Sequence, residues 1–288
     1  MPQSFAGAIS TAVGRFNEYC SAFGVWSGSL KSLEHLIKYK SGLCAAAVST
    51  LTPNKHRVWL RPRSTDLATY REVFINREYD IRKLKIFDAI IRRYNSLLTL
   101  GRVPLIVDAG ANIGLTSIFL SPLFPKADFL LIEASSHNLP ILERNVGNNP
   151  RMRVLHHALW HEKSKLSLVD ESGFSMIRVQ QEADGQPGDS VDTITMAEVL
   201  GARNDDLFIL KIDIEGAENV VLSKNNHWLS SRPIILIEPH DDIIPNNGSL
   251  AGLLNVDEYR CANIIISGSN LFIVPQSYVN DGLQRPVA

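Results

Sequence analysis

Four side chains carry the chemistry this sequence is able to do. Asp213 and Glu215 close the apolar run that starts at Leu207, and Glu238 and His240 close the one that starts at Ile234. Residues two apart on a strand share a face, so Asp213 and Glu215 are expected to enter one cleft if strand geometry persists as far as Glu215. Gly216, the next residue, marks a turn into the following helix. His240 has the side chain whose ordinary pKa suits a base near neutral pH. Carboxylates beside an imidazole are a constellation for taking a proton from a hydroxyl. Asp213, Glu215 and His240 are therefore the expected catalytic residues. The alternative is a divalent ion on Asp213, Glu238, His240 and Asp241, with the oxygens favouring magnesium or calcium and the imidazole a transition metal; no metal is part of the main expectation. Lys211 is read as structural, facing away from Asp213, and so are His156 and His157, on alternate faces of one strand.

A second group is Asp108-Ala-Gly-Ala-Asn-Ile-Gly114, between an apolar run and a helix. Gly110 permits a sharp turn and close approach of a ligand to the backbone. Gly114 permits tight packing of the helix, and free amides at the helix start attract an anion. A dinucleotide site prefers G-x-G-x-x-G around a pyrophosphate. Here the spacing is G-x-x-x-G, and the acid immediately before it suits an ammonium group better. A methionine moiety carries both an ammonium and a carboxylate, so the loop favours S-adenosylmethionine over NAD. Glu133, at the end of the next apolar run, is placed to accept hydrogen bonds from ribose hydroxyls. A nicotinamide-dependent oxidoreductase and a non-catalytic nucleoside-binding module are the competing readings.

These residues need a scaffold that gathers strand ends on one edge. Val103–Asp108, Phe129–Glu133, Arg153–His157, Leu207–Asp213 and Ile234–Glu238 are short apolar runs separated by helical patterns, including Ala111–Leu120 and Leu139–Val146. Continuous apolar strands between helices imply a mostly parallel sheet covered on both faces. Right-handed crossovers then bring the C-terminal strand ends together. Ile264–Ile266 and Leu271–Val274, joined by Ser-Gly-Ser-Asn, read as an antiparallel hairpin. Upstream, Arg57–Arg61 reads as a strand and Asp80–Leu98 as a helix. Leu30, Leu33, Leu36 and Ile37 form an amphipathic stripe, expected to dock on the core, with dimerisation or membrane contact as alternatives. Asp184–Asp189 reads as a surface loop.

The 288 residues are 45% hydrophobic and 20% charged, with a formal net charge of -1. Such a chain builds a globular core, and it lacks the basic excess of a nucleic-acid binder. Three scattered cysteines, Cys20, Cys44 and Cys261, form no C-x-x-C pair, so no zinc site is suggested and a reducing compartment fits. Neither a signal peptide nor a transmembrane segment is evident. The expectation is a soluble, cytoplasmic protein acting on a small molecule, with a homo-oligomer possible.

With these residues identified, the chain resembles the FkbM-type family of S-adenosylmethionine-dependent methyltransferases. The matching pieces are Val107-Asp-Ala-Gly-Ala-Asn-Ile-Gly114, Ile132-Glu-Ala134, Leu142-Glu-Arg-Asn145, Ala158-Leu159, Leu210-Lys-Ile-Asp-Ile-Glu-Gly-Ala-Glu218 and Ile235-Leu-Ile-Glu-Pro-His240. Leu60-Arg61, Ser64-Thr-Asp66 and Glu78-Tyr79 look like the family's lead-in. The resemblance spans roughly residues 57–275. It implies a Rossmann-like class I methyltransferase fold, α/β, with a C-terminal antiparallel hairpin and an N-terminal helical extension. The expected division is 1–56 for the extension and 57–288 for the methyltransferase domain, with lead-in 57–100 and core 101–275.

The activity implied is methyl transfer, usually to oxygen, on a sugar, glycolipid or natural-product hydroxyl. Asp108, Gly110, Ala111, Asn112 and Gly114 would surround the methionine part, with Asp213 at the same edge. Glu133 and Ala134 would hold the ribose, and Ala158 and Leu159 would flank adenine. The sequence departs from the family at Trp160-His161, where Trp160 either stacks on adenine or is structural, and at Met196-Ala197, where the family carries Leu-Asp. Gly173-Phe-Ser175 resembles the family's Gly/Ser stretch loosely. Arg61, Arg63 and Asp66 offer either an acceptor-side wall or a surface ion-pair cluster.

Overall fold

A computed structural model describes residues 5–40, 44–170, 177–181, 190–241 and 248–280. The expectations at Gly173-Phe-Ser175 and Asp184–Asp189 lie outside these. The chain forms two compact units, Met1–Glu78 and Tyr79–Ala288.

In the first unit, α1 (Phe5–Phe23) and α2 (Val25–His35) pack as a helical hairpin. Gly24, at φ 84°, makes the turn, and Gly28 brings the helices close: a Cβ there would lie 2.4 Å from the Tyr19 carbonyl oxygen. β1 (Val48–Leu51) pairs antiparallel with β2 (Arg57–Leu60), followed by α3 (Asp66–Tyr70). That pairing joins Arg57–Leu60 of the expected lead-in to the strand before it, and the first compact unit runs on to Glu78. His35 is 2% exposed, held between the Tyr19 hydroxyl and Thr50 Oγ1 at 2.9 Å each. Burial pushes its imidazole down to about 3. Arg61 and Asp66 pair with each other, the guanidinium reaching Oδ1 at 2.8 Å and Oδ2 at 3.0 Å.

The second unit opens differently from its sequence pattern. Asp80 accepts from the Arg82 amide and pairs with the Arg82 guanidinium, which fixes a 3-10 turn at Ile81–Lys83. Leu84 is extended, so α4 begins only at Phe87 and runs to Thr99. An Asp side chain that bonds its own local backbone competes with helix, which is why the helical spacing from residue 80 misleads.

The strands and helices follow as β3 (Leu105–Ala109), α5 (Leu115–Leu120), β4 (Asp128–Glu133), α6 (Leu139–Val146) and β5 (Met152–His156). Then come β6 (Ala158–Leu159), β7 (Lys165–Asp170), β8 (Ile177–Gln181), β9 (Ser190–Ile194), α7 (Met196–Leu200) and β10 (Leu207–Ile212). The chain continues with α8 (Glu218–Ser223), β11 (Ile234–Ile237), α9 (Ala251–Leu254), β12 (Asn263–Ser267), β13 (Asn270–Val274) and α10 (Ser277–Asn280). The seven-stranded sheet has the order β12-β13-β11-β10-β3-β4-β5. β11, β10, β3, β4 and β5 are parallel, and β12 and β13 form the expected antiparallel hairpin at one edge. This is the Rossmann-like class I methyltransferase arrangement.

β3, β10 and β11 are buried along their whole lengths, as near-continuous runs of Leu, Ile and Val require. Each such side chain removed from water contributes about 1.5–3 kcal/mol before entropy is counted. β3 lies between β10 and β4, so the chain's order reverses there and opens a crevice at the C-terminal strand ends. A small side sheet, β6-β9-β7-β8, stands beside that crevice's β5 end. α7 starts on a capping box made by Thr195 and Glu198, which puts the Met196-Ala197 pair in a helix start with Met196 in the core. No helix among the described residues is long and apolar enough to cross a membrane.

Candidate functional site

The glycine loop joins β3 to α5 and bonds to its neighbours more fully than expected. Gly110 and Ala111 amides donate to the Ile132 carbonyl at 2.9 and 3.0 Å, and the Gly114 amide to Ala111 at 2.8 Å. The Asn112 amide donates to Glu133 Oε2 at 2.7 Å. The expected free amides are thus largely spent within the protein, one of them on the carboxylate of Glu133. Gly110 is obligatory: at φ 74° its Cβ would fall 1.7 Å from the Asp213 carbonyl oxygen. Gly114, at φ 82°, makes room for Leu142 and Val146 of α6, not for the strand. Asn112 itself sits at φ 50°, a left-handed conformation uncommon outside glycine.

Glu133 ends β4 and is 6% exposed. Its Oε1 accepts from the Ser135 amide at 2.9 Å and from Asn138 Nδ2 at 3.1 Å. Burial raises its pKa, and these hydrogen bonds with that of Asn112 oppose the rise.

Beneath the loop lies an ionic chain. Lys211, 3% exposed in the middle of an apolar strand, donates to the Gly110 carbonyl at 2.6 Å. Its Nζ is 3.1 Å from Asp213 Oδ2 and 3.5 Å from Asp108 Oδ1. Lys211 is on β10 and Asp213 follows its last residue, and the two side chains meet, so the expectation that they point apart was wrong. A buried ammonium requires such partners. Burial alone would lower its pKa, but the Asp213 and Asp108 charges outweigh it and hold Lys211 firmly protonated. Asp108, 1% exposed, accepts from Ser117 Oγ at 2.6 Å and does not line the cleft. The carboxylate facing the cleft is that of Asp213.

The third part is the acid and imidazole cluster. β10 ends at Ile212, and Glu215 sits in the turn after it at φ 54°. Strand geometry does not persist to Glu215, yet the turn still carries its carboxylate to His240: Oε2 is 3.4 Å from Nε2. Asp213 Oδ1 is 3.9 Å from the same nitrogen. His240 Nδ1 meets Glu218 Oε1 at 2.9 Å. Glu218 is fully buried at the start of α8, and the same oxygen accepts from the Ile214 and Gly216 amides at 3.1 Å each. It fixes both the turn that bears Glu215 and the ring of His240.

Burial, then the Asp213 charge, lifts Glu215 to about 7. Burial works against the His240 cation, but the Glu218 hydrogen bond and the surrounding carboxylates raise it to about 9. Burial and Asp213 also raise Glu238. Asp213, Glu215 and His240 offer ligand atoms within 4.8 Å of one another, the one such group found among the described residues. Glu215 stands there in place of Glu238 and Asp241 of the ion set considered from sequence. Asp241 instead accepts from Ser249.

Gly110, Asn112, Glu133, Ala134, Ala158, Leu159, Asp213 and Glu215 line one cleft open to solvent, joined by Ile132, Ser135, Asn138, His157 and Ile214. Asp108, Ala111 and Gly114 support the cleft without lining it. His240 borders it through Glu215 and Asp213. Trp160 lines a separate groove with Met196 and Trp228, so it does not stack in this cleft. Sequence reasoning missed Lys211 and Glu218 as parts of the site. Both stand in the Lys211–Glu218 segment, and the signal was a lysine inside an otherwise apolar strand.

A family model described as the methyltransferase FkbM domain matches residues 108–259. Methyltransferase sdnD of Sordaria araneosa is 26% identical over 203 residues, covering 58% of this chain and 72% of that protein. Among solved structures, methyltransferase FkbM from Methylobacillus flagellatus KT is 18% identical with a TM-score of 0.43. That match covers 59% of this chain and spans 43% of the length of the other. A putative caffeoyl-CoA O-methyltransferase from Staphylococcus aureus is 10% identical with a TM-score of 0.35, covering 73% and 96% of the two chains.

Proposed function

The chain belongs to the FkbM methyltransferase domain family, and from that premise we propose that it moves a methyl group from S-adenosylmethionine to a hydroxyl oxygen of a neutral, polar small molecule such as a sugar, a glycolipid headgroup or a natural product. The observation that carries this reading is the adjacency of two environments in one cleft. One is the half built on Glu133 and the apolar residues beside it. The other is a proton-accepting half built on Asp213, Glu215 and His240.

The residues present fit the donor. Gly110 and Asn112 lie along the cleft, and Ile132, Ala134, Ala158, Leu159 and Ile214 give an apolar surface for a base. Glu133 would take a ribose hydroxyl, and Asp213, in the place first given to Asp108, would face the ammonium of the methionine part. Bound there, the donor supplies an activated sulfonium methyl, so the protein's work is alignment and proton removal.

A hydroxyl that took the methyl would have to give up its proton, and the Asp213, Glu215 and His240 cluster is where that proton would go. Glu215 is the acceptor best matched to neutral pH, since its carboxyl is lifted to about 7. The His240 cation balances the carboxylate, and Glu218 is a positioning residue for both. Asp213, Glu215, Glu218 and Glu238 together repel anionic acceptors, which favours neutral hydroxyls over phosphates or carboxylates. A cytoplasmic setting is in keeping with the free thiols of Cys20, Cys44 and Cys261.

The test is transfer of labelled methyl from S-adenosylmethionine to panels of neutral and anionic hydroxyl compounds, with NAD titrated in parallel. Turnover on a neutral acceptor is expected to rise through about pH 7, and Glu215→Gln is expected to remove that limb while retaining S-adenosylhomocysteine binding. Binding of NAD with no affinity for S-adenosylhomocysteine would overturn the reading.

A further inference from the structure

A second recess opens at the edge of the sheet away from the cleft, and every residue that lines it belongs to the Tyr79–Ala288 unit. α4 and α10 contribute one side, and the turns leading into β10 and β11 the other. Arg93, Arg102 and Arg232 line it, and Asp205 is the one carboxylate among the lining residues. Arg102, Asp205 and Arg232 stand just before β3, β10 and β11, whereas the cleft lies beyond the far ends of the same parallel strands. The six residues of β10 put about 20 Å between the two.

Arg102 is spent on its neighbours, meeting Asp205 Oδ2 at 3.0 Å and Asp206 Oδ1 at 3.4 Å. Asp206 is shared with Arg203, at 3.0 Å. Neither Arg93 nor Arg232 meets a carboxylate among the described residues. The Arg93 guanidinium packs on Tyr278 instead, 5.7 Å from the ring centroid, and hydrogen-bonds its hydroxyl. Tyr278 in turn donates to the Arg232 carbonyl, which ties α10 to the left-handed turn, φ 57°, that carries Arg232. Arg93 Nε and Ser277 Oγ are buried without a hydrogen-bond partner. Buried donors left unmet are costly and rare, and both belong to side chains that line the recess. The Ser230 and Ser231 hydroxyls already donate to the His227 and Trp228 carbonyls, at 2.8 Å each, so the donors left for a ligand are the two arginines and Ser277. We propose that this recess binds the phosphate group of a phosphate monoester. Three lining arginines against one aspartate leave an excess of two positive charges, which a phosphate dianion balances and a carboxylate does not. Guanidinium forks suit its tetrahedral oxygens, and turning toward it gives Arg93 and Ser277 the partners they lack. The acids of the cleft repel such a group, so the anion is taken at the opposite edge, independently of the chemistry proposed there.

Calorimetric titration of the full chain with inorganic phosphate, phenyl phosphate and acetate, near neutral pH and at constant ionic strength, tests this. Both phosphates are expected to saturate one site per chain and to raise the melting temperature, with acetate far weaker. Arg232→Gln is expected to weaken phosphate about tenfold, the loss of one charge-assisted contact, and the further change Arg93→Gln to remove binding. Arg232 is exposed and holds Tyr278 only through its backbone, so the single variant decides the matter if Arg93→Gln disturbs the packing on Tyr278. Flotation with phosphatidic acid vesicles that Arg232→Gln weakens would assign the phosphate to a lipid headgroup; binding of the soluble phosphates without flotation would assign it to a small molecule. An absence of saturable binding at millimolar phosphate, in folded protein, would overturn the proposal. So would acetate binding as tightly as phosphate, or a phosphate affinity that Arg232→Gln leaves within about twofold.

Discussion

Replacing Glu133 with glutamine tests the cofactor half of the site most directly. A carboxylate has about four lone-pair positions. Three are filled by the protein: Oε1 takes Ser135 and Asn138, and Oε2 takes Asn112. One remains, on Oε2, so Glu133 has capacity for one ribose hydroxyl, not the two that its sequence position suggested. A hydrogen bond to a charged acceptor contributes about 1.5–3 kcal/mol. At about 1.4 kcal/mol per factor of ten, Glu133→Gln should weaken S-adenosylhomocysteine by roughly 10- to 150-fold. The amide also turns an NH₂ toward either the Asn112 or the Ser135 amide, which pushes the result to the upper end. Calorimetric titration, with a thermal melt to confirm folding, reads it out. A dissociation constant within about threefold of wild type, in a folded variant, would refute the placement of ribose at Glu133.

Three further outcomes follow from the geometry. Gly110→Ala combines a left-handed φ with a Cβ at 1.7 Å from the Asp213 carbonyl; it should cost more than about 2 kcal/mol in urea unfolding and abolish ligand binding, and a variant of wild-type stability would contradict the clash. Lys211→Met leaves Asp108 and Asp213 facing each other without their cation and should cost about 3–5 kcal/mol, with partial recovery when Asp108→Asn is added; a loss below about 1 kcal/mol would show that the ionic chain does not hold the strands. His35, lowered to about 3 from the ordinary 6.5, binds a proton more readily in the unfolded chain between those values. Its contribution is complete above pH 6.5 and is lost as pH falls toward 3, so the N-terminal helices should loosen in that window, and His35→Gln should flatten the dependence seen by circular dichroism.

Much of this was legible in the sequence for a physical reason. Buried parallel strands are written as unbroken apolar runs, and Ile106, Leu131, Leu210 and Leu236 could only be interior. The acids that interrupt or end such runs, Asp108, Glu133 and Asp213, mark the edge where a ligand sits. What the sequence concealed was who pairs with whom. Asp108 and Asp213 look alike as strand-end acids and Lys211 lies against both, but Ser117 holds the first in the interior while the second lines the cleft. Glu218 looks like an ordinary first-turn helix acid until its oxygen is seen to hold two loop amides and an imidazole. Asp80 broke the helical pattern through a local side-chain bond that periodicity does not register.

The Lys211 ammonium also sets how the cleft is able to move. β3 and β10 stay hydrogen-bonded up to the crevice, the Asp213 amide donating to the Ala109 carbonyl at 3.1 Å, and Lys211 ties the Gly110 carbonyl on one side to Asp213 on the other. A crevice stitched in this way keeps its width, because spreading it would strand a charge in a dry interior. On the function proposed above, entry of a nucleoside and departure of the spent one would fall to the facing wall, Ser135–Asn138 and His157–Leu159, which the ionic chain does not reach.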